Sequence, residues 1–198
     1  MQLPRQALDL VAPHCDIVER LEAVSPSARI RGIHLRILEN ELKHRGRLAD
    51  YRALLPESRR STLGWCPIRE YLLCLACAGA LAASPERVHE GMYDIMRKHA
   101  IEFTHSLIGR ALLRLLARDP IRVSEQALAV QRQTKNYSQW ELVRRGRNEI
   151  EMIYKKEYIW IESAIAGGAQ GALEACDVVP IIETHLYDRF SGSTLIRW

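Results

Sequence analysis

Val178-Val179-Pro180-Ile181-Ile182-Glu183-Thr184-His185-Leu186-Tyr187, a turn at Ser191-Gly192, and then Ser193-Thr194-Leu195-Ile196-Arg197-Trp198 form the stretch that decides the fold. Two β-rich runs separated by a glycine turn read as a hairpin. Just ahead of it, Gly167-Gly168-Ala169-Gln170-Gly171-Ala172-Leu173-Glu174-Ala175-Cys176 reads as a helix lined with small residues. A hairpin is marginal in water by itself, so in a mostly helical chain it has to pair with strands elsewhere. The partner ribbon is Ser138 to Val143 with Glu149 to Tyr154 and Gly146 in the turn. Trp140, Leu142, Ile150, Met152 and Tyr154 supply its period-two apolar positions. The expected fold class is therefore α+β, a helical bundle packed on a four-stranded antiparallel sheet made of two hairpins.

Working outward, two short helical pieces, Leu3 to Val11 and Asp16 to Val24, are broken at Pro13. Ser25-Pro26 is a helix start, with Ser as N-cap and Pro in the first turn. Ile30, Ile33, Leu35, Ile37, Leu38 and Leu42 then recur at helical spacing from Arg29 to Arg45, and Gly46 closes the helix. A helix from Arg47 to Leu55 and a polar loop over 56–66, with Trp65 at its end, follow. Pro67 opens a helix to Ala82 that is apolar nearly all round and so is expected to be buried. Ser84-Pro85-Glu86 starts a helical stretch to His105, continued to Arg118 with a kink near Gly109. Asp119-Pro120 starts another helix, to about Gln133, and Tyr158 to Cys176 is the last. The expected organisation is an N-terminal helical extension over 1–25 and a single domain over 26–198.

Composition narrows the function classes. The chain has 198 residues, 47% of them hydrophobic, enough for one core. Its net charge is only +4, and the basic patches Arg59-Arg60 and Arg144-Arg145-Gly146-Arg147 are short and lie beside turns. Nucleic-acid binders concentrate such charge on one face, so no nucleic-acid partner is expected. Five cysteines, an odd number, with no basic-then-apolar leader before them, predict free thiols and a cytoplasmic setting. The longest uncharged apolar run, Tyr71 to Ala83, is short of the ~20 residues that span a bilayer.

No motif of chemistry stands out, and the residues alone do not say what the protein does. There is no nucleophile elbow and no phosphate-binding glycine loop, since Gly167, Gly168 and Gly171 follow a helical pattern rather than a strand. Cys74 and Cys77 have C-x-x-C spacing but lie inside an apolar helix with no second ligand pair, which favours packing over zinc or redox chemistry. Six residues separate His99 from His105, a rotation about 120° short of two turns, so one metal ion could not easily take both. No metal site and no catalytic residue is expected. Tyr154, Tyr158 and Trp160 cluster at a strand–helix junction, as a core corner or as the wall of an apolar pocket.

A resemblance joins these features. Arg31-Gly32 before an early helix, Trp65, Phe103-Thr104-His105-Ser106-Leu107-Ile108-Gly109-Arg110-Ala111-Leu112, the Arg144-Arg145-Gly146 hairpin, Gly168 and Gly171 with Leu173-Glu174, and the final Ile196-Arg197-Trp198 resemble a paralogous family of similar-length proteins of unknown function from myxobacteria, over residues 28–198. That family is similar in fold to haem-based nitric-oxide sensors, four-vinyl-reductase domains and Bet-three-type subunits of the TRAPP tethering complex. The resemblance implies a helical half with a small antiparallel sheet. The haem sensors use a His late in the helical half and a Tyr-x-Ser-x-Arg motif. Residues 120–136 hold no His and the motif is absent, which argues against haem. Bet-three-type proteins bury an acyl chain on a Cys, and Cys74 or Cys77 would be the residue here, though no motif carries the match.

Two functional expectations result. The first is a non-enzymatic cytoplasmic interaction or signalling module, a scaffold that is dimeric or bound to a protein partner and needs no cofactor. The alternative is a sensor holding a small apolar ligand, lipid-like or haem, between helices and sheet near Tyr154, Tyr158, Trp160, Cys74 and Cys77.

Overall fold

The computed structural model describes residues 3–55, 64–105 and 107–198. Two compact units divide the chain, residues 1–95 and 96–198. The expected loop over 56–66, with Arg59-Arg60, lies outside the described residues as far as position 63.

The first unit is built on one buried helix. Its elements are α1 (Arg5–Val11), α2 (Ile17–Ala23), β1 (Arg29–Arg31), α3 (Ile33–His44), α4 (Leu48–Leu54), β2 (Trp65–Pro67), α5 (Ile68–Ala82), a 3-10 turn (Pro85–Arg87) and the start of α6 (Val88–His105). α5 is the hub, with α1, α2, α3 and α4 packed against it. Tyr71, Leu72, Leu73, Leu75 and Ala76 are buried on every side of it, as its unbroken apolar composition requires. α1 and α2 belong to the stretch expected as an extension; they pack on α5, with Ala7, Val11 and Ile17 fully buried. α6 crosses α5 at a glycine pair, where a Cβ on Gly91 would strike the carbonyl of Gly79. Helices approach this closely only where both side chains are missing.

One local expectation needs correction. Arg29 to Arg31 is a strand, and the helix begins at Ile33. Ile30 pairs with Cys66 and Arg31 with Trp65, so Trp65 ends in a strand rather than a loop. Ser25 closes a turn through its carbonyl, 3.0 Å from the amide of Ala28, instead of capping a helix. The reason is tertiary: Ile30 is fully buried only in the extended pairing, and β-branched Ile tolerates that backbone well.

The second unit contains the rest of α6, then α7 (Leu107–Leu115), α8 (Pro120–Thr134), β3 (Gln139–Gly146), β4 (Glu149–Lys155), a π turn (Ile161–Ile165) leading into α9 (Ala166–Glu174), β5 (Ile181–Asp188) and β6 (Ser191–Arg197). Gly109, where a kink was expected, lies inside α7. Asp119 caps α8, its Oδ1 accepting from the amide of Ile121 at 2.8 Å, with Pro120 opening the first turn.

The sheet order is β3-β4-β6-β5, antiparallel throughout. The two hairpins join through β4 and β6, with Ile150 opposite Ile196 and Met152 opposite Thr194. Ile150, Met152, Tyr154, Thr194 and Ile196 are buried and share one face. On the other face, Glu151 pairs with Arg145 and Glu183 with Arg197. α8 packs on β3, and the π turn and α9 pack along β5. The fold class is thus the α+β arrangement read from the two ribbons.

Candidate functional site

The structure separates the five residues singled out from the sequence into two groups. Cys74 and Cys77 sit in α5 of the first unit, both buried, and the Cys77 thiol donates to the carbonyl of Ala7 at 3.7 Å. Burial pushes that thiol well above the ordinary cysteine range, with Cys74 and Cys15 adding to the effect, so it stays protonated and a poor nucleophile.

Tyr154, Tyr158 and Trp160 come together in the second unit. Tyr154 meets Trp140 edge-on at 4.8 Å between ring centres. Tyr158 lies between Tyr137 at 5.1 Å and Phe190 at 5.4 Å. Trp160 is fully buried where the π turn begins. Burial raises the Tyr154 phenol well above its ordinary range, and only its neighbour Thr194 acts the other way.

This corner is bound together by a charge pair that no spacing in the sequence announces. The fully buried Glu157 carboxylate accepts from Lys135 Nζ at 3.1 Å, Trp140 Nε1 at 2.7 Å, the Tyr137 hydroxyl at 3.3 Å and the amide of Ile159 at 3.0 Å. The Lys135 ammonium also faces the Trp140 ring at 4.7 Å. Burial pulls Lys135 below the usual lysine range, and Glu157 pulls the other way. Lys156 reaches left-handed backbone, φ 54°, immediately before Glu157. The corner is therefore a satisfied polar node inside an aromatic shell, with every Glu157 bond made from within.

Open space lies elsewhere in the unit. A cavity of about 370 Å³ is lined by Ile101 of α6, Arg110, Leu113 and Arg114 of α7, Glu174 of α9, and Arg118, Ala175 and Asp177 just beyond the ends of α7 and α9. α6 and α9, which both contribute to this lining, cross closely. A Cβ on Gly171 would strike the carbonyl of Arg97 and lie 3.0 Å from the Ala100 Cβ, so only glycine lets α9 lie this close to α6. That is the role of the small-residue stripe: it admits a neighbouring helix. The Arg97 guanidinium then grips Glu174 with two bonds, at 2.9 and 2.8 Å, and Gln170 adds a third at 2.7 Å. Burial acts to raise the Glu174 carboxyl, but these bonds hold it below the usual carboxylate range.

Two helix ends bring Arg118 and Asp177 to the cavity. α7 ends with Arg118 N–H on the carbonyl of Leu113 at 3.0 Å, and Ala117 and Arg118 both take left-handed backbone, φ 54° and 51°. After α9, Asp177 does the same at φ 63°. Arg118 and Asp177 form an ion pair. Each non-glycine residue held left-handed costs about 1 kcal/mol or more, and such strain gathers where a chain is shaped for a task. Nothing in the sequence marks this site, because Arg110, Arg114 and Arg118 look like ordinary solvated arginines near a helix.

His99 on α6 is half-buried; burial lowers it below the usual histidine range, with Glu102 opposing. The side chain of His105 lies outside the described residues. Among the described residues, no single helix is long and apolar enough to cross a membrane.

Residues 23–194 match the profile of a family described as "Protein of unknown function (DUF2378)". No curated protein matches the chain. Among solved structures, the chain is similar to a mutant of the Fe(II) unliganded H-NOX protein from K. algicida, at 16% identity and a TM-score of 0.65, covering 85% of this chain and 96% of that one. The unmutated K. algicida protein gives 18% identity, a TM-score of 0.62 and the same coverage. An H-NOX from Shewanella woodyi in the Fe(II)CO state gives 15% identity, a TM-score of 0.57, and coverage of 84% and 93%. At such identities the shared property is the fold.

Proposed function

The chain belongs to the DUF2378 family of proteins of unknown function, and from that premise we propose that it is a cytoplasmic, non-enzymatic sensor module that holds a small ligand in the cavity between α6, α7 and α9. The observation that carries this reading is the cavity itself. At about 370 Å³ it falls within the range of small-molecule sites, and it mixes an apolar wall with a few convergent charged groups. The H-NOX-like fold of the chain supports a ligand-sensing role by analogy. Support for a role without chemistry comes from the lining, whose only nitrogen and oxygen side chains are arginines and two carboxylates already paired with arginines. Five free cysteines support a reducing compartment.

Among the described residues, the set does not fit haem, the group that the H-NOX resemblance implies. α8 offers no histidine, and the described histidines of this unit are His99 on α6 and His185 on β5. Tyr154 is followed by Lys155-Lys156-Glu157-Tyr158, and the Glu157 carboxylate is consumed by Lys135 and Trp140.

Native mass spectrometry of the freshly purified chain tests the reading. A non-covalent additional mass, lost on unfolding, is the expected result. A bare mass together with no shift in melting temperature across a small-molecule library would refute it.

A protein-contact role has one observation of its own. β5 is an edge strand, and its Ile181 and Tyr187 are 61% and 57% exposed. An edge of this kind can pair with a second copy or a partner. Light scattering of the chain against an Ile181→Lys variant tests this; equal monomeric masses would refute it.

A further inference from the structure

The cavity's charges define a ligand class. Glu174 is neutralised by Arg97, and Asp177 by Arg118. Arg110 and Arg114, one helical turn apart on α7, have no hydrogen-bond or ion-pair partner among the described residues. Side chains at that spacing stand about 5–6 Å apart at Cβ, close enough for both guanidinium forks to converge on one oxyanion. Between them in the sequence lies Leu113, only 9% exposed, which with Ile101 and Ala175 lines the cavity with apolar surface.

We propose that this cavity binds a small dianionic ligand, a phosphate monoester or its dicarboxylate equivalent, whose head is held by Arg110 and Arg114 and whose apolar body lies against Ile101 and Leu113. The proposal rests on the sensor reading and deepens it. Two unopposed guanidiniums match two negative charges. Arginine rather than lysine fits a planar or tetrahedral oxyanion that is gripped by paired N–H bonds. The Arg118–Asp177 pair lines the same cavity, and a second anion there would compete with Asp177 for Arg118. Binding there connects the ends of α7 and α9, both already held in left-handed turns.

Calorimetric titration of the full chain with phenyl phosphate, inorganic phosphate and phenol tests the idea. Phenyl phosphate is expected to bind, inorganic phosphate more weakly, and phenol not at all, with affinity falling as salt is raised. Arg110→Gln and Arg114→Gln are each expected to weaken phenyl phosphate about tenfold, since a charged hydrogen bond contributes enough for a tenfold change or more. Arg5→Gln, on α1 of the first unit, is expected to leave affinity unchanged. Circular dichroism of each variant checks the fold, and Arg114→Lys, which keeps charge but loses the fork, should fall between Arg and Gln. No phenyl phosphate binding, or a double Gln variant within threefold of the parent, would overturn the proposal. If native mass spectrometry shows a bound neutral molecule that survives the double variant, the anion proposal fails while the sensor reading stands. If neither a retained mass nor anion binding is seen, both fall.

Discussion

The Lys135–Glu157 pair makes the sharpest demand on stability. Its side chains are 3% and 0% exposed, and they lie 3.1 Å apart. At an effective dielectric near 20, the attraction is about 5 kcal/mol, and the cost of desolvating both ions cancels most of it. Removing one partner exposes the asymmetry. Lys135→Met leaves the Glu157 carboxylate buried, but Trp140 Nε1 at 2.7 Å and the Ile159 amide at 3.0 Å still donate to it. The expected loss is about 3 kcal/mol, the lower end for a broken buried pair. Glu157→Leu strands the ammonium with only the Trp140 and Tyr137 ring faces, at 4.7 and 5.9 Å, and leaves two N–H donors unpaired. That loss is expected to be larger, about 4 kcal/mol. The double variant removes both charges and should cost about 2 kcal/mol, less than either single change. Urea unfolding followed by tryptophan fluorescence measures all three, because Trp140 and Trp160 lie in or beside the node. A loss of 3 kcal/mol would also lower the melting temperature by roughly 6–12 °C for a chain of this size. If the two single effects simply add, to within about 0.5 kcal/mol, the pair is not coupled and the reasoning is wrong.

Three further outcomes follow from the same geometry. Gly171→Ala should destabilise by about 2 kcal/mol or more, because its Cβ strikes the Arg97 carbonyl, whereas Gly168→Ala, with nothing within 4 Å, should stabilise α9 by about 0.5–1 kcal/mol; equal melting temperatures for the two variants would contradict the crossing. Burial raises the thiols of Cys15 and Cys176 from 9.0 to about 11, so in that window the unfolded chain releases protons that the folded chain keeps, and stability falls as pH rises from 9 to 11; a Cys15→Ala, Cys176→Ala variant should show a flatter alkaline slope in denaturant titrations, and an unchanged slope would count against buried thiols. Cys74 and Cys77 should react with a thiol reagent only after denaturation, since both are buried and Cys77 is held protonated; rapid labelling of the native chain would refute this.

What could be read from the chain depended on whether a signal was local. The two ribbons announced themselves through period-two apolar residues and glycine turns. Trp140, Leu142, Ile150, Met152 and Tyr154 fall on one face because strand side chains alternate, and that needs no tertiary information. The Asp119-Pro120 start was equally legible, since a cap is satisfied within its own first turn. α5 was readable as buried because an all-round apolar helix has no face that can meet water. By contrast, Arg29 to Arg31 carried a helical pattern and became a strand because Ile30 found Cys66, far along the chain. The aromatic trio was legible as a cluster, but whether it lined a pocket or a packed corner depended on Lys135 and Glu157, two charges with no sequence mark.

The sequence by itself determined the α+β class, the two hairpins and the buried central helix of the first unit, because periodicity, capping and turn chemistry act over a few residues. Only the tertiary structure decided which charges are paired and which are left over. Arg97 is consumed by Glu174 and Arg118 by Asp177, while Arg110 and Arg114, unpaired among the described residues, line the cavity. That sorting depends on how closely α9 can approach α6 at Gly171, a distance set by packing between residues more than seventy positions apart.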